Sequence, residues 1–186
     1  MRAVTKSCSE RIDVEQTVAE RGHVTAPGKG EDLGGKYLVF HLGREEFGIR
    51  VLKVREIMGI QDNTAVPQTP AHVKGVINLR GKVIPVVDLR LKFGLVEQEY
   101  TARTCIIVVQ IRGEAAPILT GIVVDGVAEV LTLAAADIED TPDFGDGTAT
   151  PYLLGMAKVK GKVKILLEIE QVLSSQDLRA LNGLMR

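Results

Sequence analysis

Alternation between apolar and polar positions begins in earnest only at residue 36. Leu38, Phe40 and Leu42 alternate with Val39 and His41, the period-two pattern of a half-buried strand. Gly43-Arg44-Glu45-Glu46 reads as a turn, and Phe47-Gly48-Ile49-Arg50-Val51 as a returning strand. Val76–Leu79, Gly81 and Val83–Leu89 predict a hairpin with β-branched residues on both arms. Further short strands are predicted over Cys105–Ile111, Ile118–Val124, Met156–Val159 and Val163–Ile169, each bounded by glycine or charged turns. Short, regularly spaced strands with little helix predict small barrels or a sandwich. Near the end, Val172, Leu173, Leu178, Leu181 and Leu184 recur at roughly helical spacing. They predict a terminal helix from Glu170 to about Leu184, broken near Ser174-Ser175.

Residues 1–35 read as a flexible N-terminal tail. They mix charges with Thr, Ser and Ala and end in the glycine-rich linker Ala26-Pro27-Gly28-Lys29-Gly30-Glu31-Asp32-Leu33-Gly34-Gly35. Within it, Gly30 to Lys36 fits the opening of a phosphate-binding loop. Position 37 is Tyr, which lacks the hydroxyl geometry such a loop uses for Mg²⁺, and two acids stand where phosphates would go. The segment also leads into a predicted strand rather than following one.

A search for self-similarity reorganises the rest. Gly75-Val76-Ile77-Asn78-Leu79-Arg80-Gly81-Lys82-Val83 lies without a gap on Gly155-Met156-Ala157-Lys158-Val159-Lys160-Gly161-Lys162-Val163. Val86-Val87-Asp88-Leu89 continues against Leu166-Leu167-Glu168-Ile169. Upstream, Gly48-Ile49 matches Gly121-Ile122, and Val54-Arg55-Glu56-Ile57-Met58 matches Val127-Ala128-Glu129-Val130-Leu131. Two matched segments in the same order indicate a duplicated unit. Gly81 and Gly161 fall where a hairpin needs positive φ. Pro85 stands where the second copy has Ile165. Because proline gives no N–H to a ladder, its strand is expected at an edge or at a bulge.

Composition removes several functional classes. The 186 residues are 45% apolar and 25% charged, as in an ordinary globular protein, and the net charge of −1 provides no basic field for nucleic acid. There is no Trp, with three Tyr and four Phe, too few aromatics for a base-stacking surface. Cys8 and Cys105 are too few for a disulfide framework, and neither belongs to a CxxC. His23, His41 and His72 have no metal-ligand spacing. Asp143 and Asp146 suggest a loop rather than a calcium site, and Asp88 and Asp125 end strands where capping is the default. No catalytic motif of the hydrolase or metalloprotease kinds appears, and nothing calls for a cofactor. With neither a signal segment nor a membrane-length apolar run, the expectation is a cytoplasmic protein that does not insert in membranes and is not an enzyme.

Gly75-Val-Ile-Asn-Leu-Arg-Gly81, Val83-Ile-Pro-Val-Val-Asp-Leu-Arg-Leu-Lys-Phe93 and Gly121-Ile-Val-Val-Asp-Gly-Val127 resemble the CheW family of bacterial chemotaxis coupling proteins. So does the opening strand pair from Tyr37 through Leu52-Lys-Val-Arg-Glu-Ile57. The resemblance spans residues 36–178 and leaves 179–186 as a C-terminal extension. It implies a mainly β fold of two SH3-like, five-stranded β-barrel subdomains related by pseudo-two-fold duplication, with short helices and a C-terminal helix. The repeats run near 36–94 and 103–175 and are intertwined. It also implies an adaptor between the cytoplasmic tip of methyl-accepting chemoreceptors and the regulatory domain of the histidine kinase CheA. On the matching motifs the receptor-facing positions are Val54, Glu56, Gly75, Asn78, Arg80 and Val127, and Phe144 is the kinase-facing candidate. Small and apolar residues would line a groove, with Arg80 and Glu56 setting register by charge. The alternatives are a coupling module of another chemosensory pathway and a small-barrel ligand or RNA binder.

Overall fold

The computed structural model describes residues 33–113, 116–141, 150–173 and 177. The tail through residue 32, the loop holding Phe144 and most of the predicted terminal helix lie outside the described residues. Along the chain come β1 (Gly35–Leu42), β2 (Glu45–Arg50), a 3-10 turn (Val51–Lys53), β3 (Val54–Gly59), β4 (Val73–Leu79) and β5 (Lys82–Asp88). Helix α1 (Leu89–Lys92) follows, then β6 (Cys105–Ile111), β7 (Ile118–Val124), β8 (Gly126–Leu133), β9 (Ile138–Glu139), β10 (Leu153–Val159), β11 (Lys162–Leu167) and α2 (Ile169–Val172). Asp88 fills the capping role its position predicts, accepting from the backbone N–H of Arg90 at 2.8 Å. Glu168 caps α2 in the same way.

The strands form two sheets, in the orders β3-β6-β7-β5-β4 and β8-β1-β2-β11-β10-β9. Moving each strand to its repeat equivalent converts the first order into the second, with the two-residue β9 as an addition. Neither sheet belongs to one half of the sequence. β3, β4 and β5 of the first half complete their sheet with β6 and β7 of the second, and β1 and β2 are taken into the other. The joins are matched. β5 runs parallel to β7 with Val86 beside Gly121, and β11 runs parallel to β2 with Leu166 beside Gly48.

Each sheet rolls around its own interior. Met58 of β3 and Ile77 of β4, on strands at opposite ends of one sheet order, share a cluster with Ile84, Val86, Ile106, Val108 and Val123. The other interior holds Tyr37, Leu133, Ala157 and Leu166. A third, larger cluster joins the sheets and includes Leu38, Phe40, Ile49, Val87, Ile107, Ile122 and Leu167. This placement corrects the reading of β1 as half-buried. Tyr37, Leu38, Val39 and Phe40 are all buried, because one face of β1 meets the shared core and the other its own sheet's interior.

Pro85 is also corrected. β5 lies inside its sheet, and its pairing with β7 starts only at Val86. Opposite Pro85, Val76 turns its N–H and C=O away to Thr64 at 2.9 and 2.8 Å. Pro85 therefore sits at a position without a ladder bond to β4 and just before the ladder to β7. The irregularity lies in β4, between Val73 and Gly75, with a twin in β10 between Leu153 and Gly155.

Candidate functional site

Glu56 and Arg80 are brought together from segments 24 residues apart. Glu56 lies on the edge strand β3 and Arg80 in the β4–β5 turn, and Arg80 Nη2 donates to Glu56 Oε1 at 3.1 Å. The pair thus spans the two ends of the rolled sheet. Arg80 is 80% exposed and Glu56 32%, so the guanidinium keeps donors free for a partner while the carboxylate restrains it. Among the described residues no matching pair joins Lys160 and Glu129, the equivalents in the other sheet.

The turn presenting Arg80 is tight. Arg80 and Gly81 both take positive φ, at 52° and 83°, as a two-residue hairpin of the primed kind requires. Lys160 and Gly161 repeat this at 51° and 76°. The glycines fulfil the sequence expectation, and the left-handed Arg80 and Lys160 add to it. Asn78 accepts a hydrogen bond from the Gly81 N–H through Oδ1 at 2.9 Å, which stabilises the turn. Its visible role is to hold Arg80 in place.

The remaining candidates sit deeper. Gly75 is buried at the irregularity of β4, and a Cβ built there would lie 2.1 Å from the Thr64 carbonyl oxygen. Its smallness is therefore required by the neighbouring backbone. Val54 is 4% exposed and belongs to the core shared by the sheets, and Val127 is half-buried against that core. The two valines are repeat equivalents, Val54 opening β3 and Val127 next to the start of β8. They pair with Val109 and Phe40, which are equivalents in their turn. Phe144 lies outside the described residues. Leu52, 73% exposed in the 3-10 turn leading to Val54, escaped the sequence reading because its local pattern differs in nothing from a core position.

Chemistry for a metal or nucleophile does not assemble around these residues. Among the described residues no group of three or more His, Cys, Asp or Glu could hold a metal ion, and no helix is long and apolar enough to cross a membrane. The site is a paired charge on a stiff turn beside apolar strand starts, suited to recognition.

Comparison with known proteins settles the family. Residues 36–177 match the model of the CheW-like domain. The chain belongs to the CheW-like family. It is 43% identical over 149 residues to the chemotaxis protein CheW of Klebsiella aerogenes, covering 80% of this chain and 87% of that one. Identity to the chemotaxis protein CheW of Rhizobium meliloti is 36% over 148 residues, covering 79% and 93%. Among solved structures, the scaffolding protein TtCheW from Thermoanaerobacter tengcongensis superposes with a TM-score of 0.68 at 32% identity, covering 78% of this chain and 96% of that one. Membership makes this CheW-family chain a chemotaxis scaffold rather than an enzyme.

Proposed function

We propose that this CheW-family scaffold is a cytoplasmic adaptor that binds the cytoplasmic tip of methyl-accepting chemoreceptors and the regulatory domain of CheA at once. It is recruited to receptor arrays and places kinase activity under receptor control. The observation that carries the reading is the Arg80–Glu56 pair, an exposed guanidinium held on a stiff turn and aimed by its own carboxylate. A charged side chain fixed before binding loses little freedom on contact and selects a complementary partner. Val54 and Val127, being buried and half-buried, shape the floor of the receptor contact, with Gly75 and Asn78 fixing the hairpin beside it. Phe144 supplies a kinase contact from the second half. No catalytic step falls to this chain; its energetics are several modest interfaces multiplied by array avidity.

The test mixes the full chain with a receptor signalling fragment and CheA, reading co-sedimentation and kinase autophosphorylation. Arg80→Asp should weaken receptor recruitment about tenfold, as expected for loss of an oriented charge contact. Its melting temperature should stay within a degree or two of the parent, in line with the small stability contribution of exposed ion pairs. Failure of the parent chain to bind either partner would overturn the reading, and a large loss of stability would make Arg80 structural.

A further inference from the structure

Two polar contacts cross between the sheets at corresponding corners of the repeat, with the charges of helix and strand start exchanged. The correspondence is offset by one residue, since Asp125 aligns with Leu52, one position before Lys53. In the first, Asp125, just after β7, accepts from the backbone N–H of Gly43 in the β1–β2 turn at 2.7 Å. The Arg90 guanidinium of α1 pairs with the same carboxylate, and its Nε donates to the Val96 carbonyl at 3.1 Å. This corrects the reading of Asp125 as a local cap. In the second, Glu170 of α2 accepts from the backbone N–H of Arg112, just past β6, at 3.3 Å. The same oxygen accepts from Lys53 Nζ at 2.6 Å.

Gly43 and Arg112 occupy equivalent turns, and Arg90 and Glu170 equivalent helix positions. In one contact the helix brings the cation and the strand end the anion; in the other the roles reverse. Three elements are joined each time: a short helix, the turn between two strands, and the segment leading into an edge strand. That segment is what matters here. Lys53 immediately precedes Val54, the first residue of β3, and Asp125 stands two residues before Val127 in β8. β3 and β8 each have a paired strand on one side only, β6 and β1 respectively. Their starts therefore lack the second ladder that fixes an interior strand.

We propose that the two contacts are positioning clamps, with Arg90–Asp125 setting Val127 and Glu170–Lys53 setting Val54. Arg90, Asp125, Lys53 and Glu170 then govern receptor affinity without being the contact itself. The proposal rests on the reading of the two valines as the floor of the receptor contact, but the clamping can be measured without a receptor.

The experiment uses the full chain with methyl-labelled valines, followed by NMR and by titration with a receptor signalling fragment. Arg90→Gln should displace the Val127 methyl resonances and leave those of Val54, and Glu170→Gln should do the reverse. Each should weaken receptor binding about fivefold while CheA binding stays within about twofold, a separation expected when coupling runs through one packed element. Arg90→Lys, which keeps the charge, should restore most of the affinity. If Arg90→Gln fails to fold, Asp125→Asn is the milder variant, since the amide oxygen still accepts from Gly43. Unmoved resonances in the folded variants would overturn the proposal, as would equal movement of both valines accompanied by a fall in melting temperature. If the parent chain does not bind the receptor fragment, the functional reading fails while the resonances still decide the clamps.

Discussion

The two sheet interiors share a backbone plan and differ in chemistry. One is apolar throughout, with Ile84, Val123 and Leu119 among its residues. At the equivalent positions the other carries Lys164, Arg50 and Glu46. Lys164 is 5% exposed and pairs with Glu46, its neighbour across the parallel ladder between β11 and β2. Burial pushes the Lys164 pKa below the usual lysine range, and one Arg50 Nη is buried with no hydrogen-bond partner among the described residues. The comparison teaches that a duplicated β-unit fixes where side chains point more strictly than what they are. An ion pair can replace two branched aliphatics if both partners arrive together.

That equivalence can be broken directly. Glu46→Leu alone leaves a buried ammonium unpaired and should lower unfolding stability by about 3–5 kcal/mol in denaturant titration. Glu46→Leu with Lys164→Ile copies two of the three apolar residues, leaving Arg50, and should match the parent or exceed it by about 1–4 kcal/mol. If single and double variants are equally unstable, the interiors are not interchangeable.

A smaller effect separates the two hairpin turns. Lys160→Asn relieves a left-handed non-glycine residue and should stabilise the chain by about 1 kcal/mol with receptor binding unchanged. Arg80→Asn relieves the same strain but loses the exposed Glu56 pair, so its gain should be smaller, while receptor binding falls. Thermal unfolding beside receptor titration reads both, and equal binding losses would remove the distinction between the turns.

The smallest effect concerns His41, whose repeat equivalent is Gln110. Burial first, then the charges of Lys164, Arg103 and Lys162, hold the His41 pKa below its ordinary 6.5, with Asp125 opposing. The unfolded chain therefore binds the proton more readily, and stability should rise with pH up to the ordinary histidine range and fall on acidification below it. Relative to His41→Gln, the parent should lose melting temperature progressively between about pH 7 and pH 5. Parallel curves would show that the imidazole titrates without linkage to folding.

How much of this was legible in sequence follows from the range of each interaction. Glycines at hairpin positions leave a local signature, so Gly81, Gly161 and the repeat could be read directly. β3 and β8 escaped the strand reading because irregularities at Val54/Glu56 and at Val39/Phe40 opposite β8 break the alternation. The parallel joins of β5 with β7 and β11 with β2 have no local signature, because nothing in either strand names a partner far along the chain. Lys164 continues the series Lys158, Lys160, Lys162 and looks solvent-facing, yet only the rolled sheet turns it inward. Of the candidate site, the Arg80–Glu56 pairing required the first and last strands of a sheet to meet. How deeply Val54 and Gly75 are set was visible only once the sheets packed around them.

Exchange of strands between halves also governs how the molecule comes into being. As the chain leaves the ribosome, β3, β4 and β5 emerge before either strand that will separate them in the finished sheet. β1 waits for β8, and β2 for β11. The hairpin ladders close locally, but those of β1 with β8, β2 with β11, β3 with β6 and β5 with β7 close over long stretches of chain, which slows folding. A truncated product holding only the first repeat would expose unfinished edges and be open to aggregation or proteolysis.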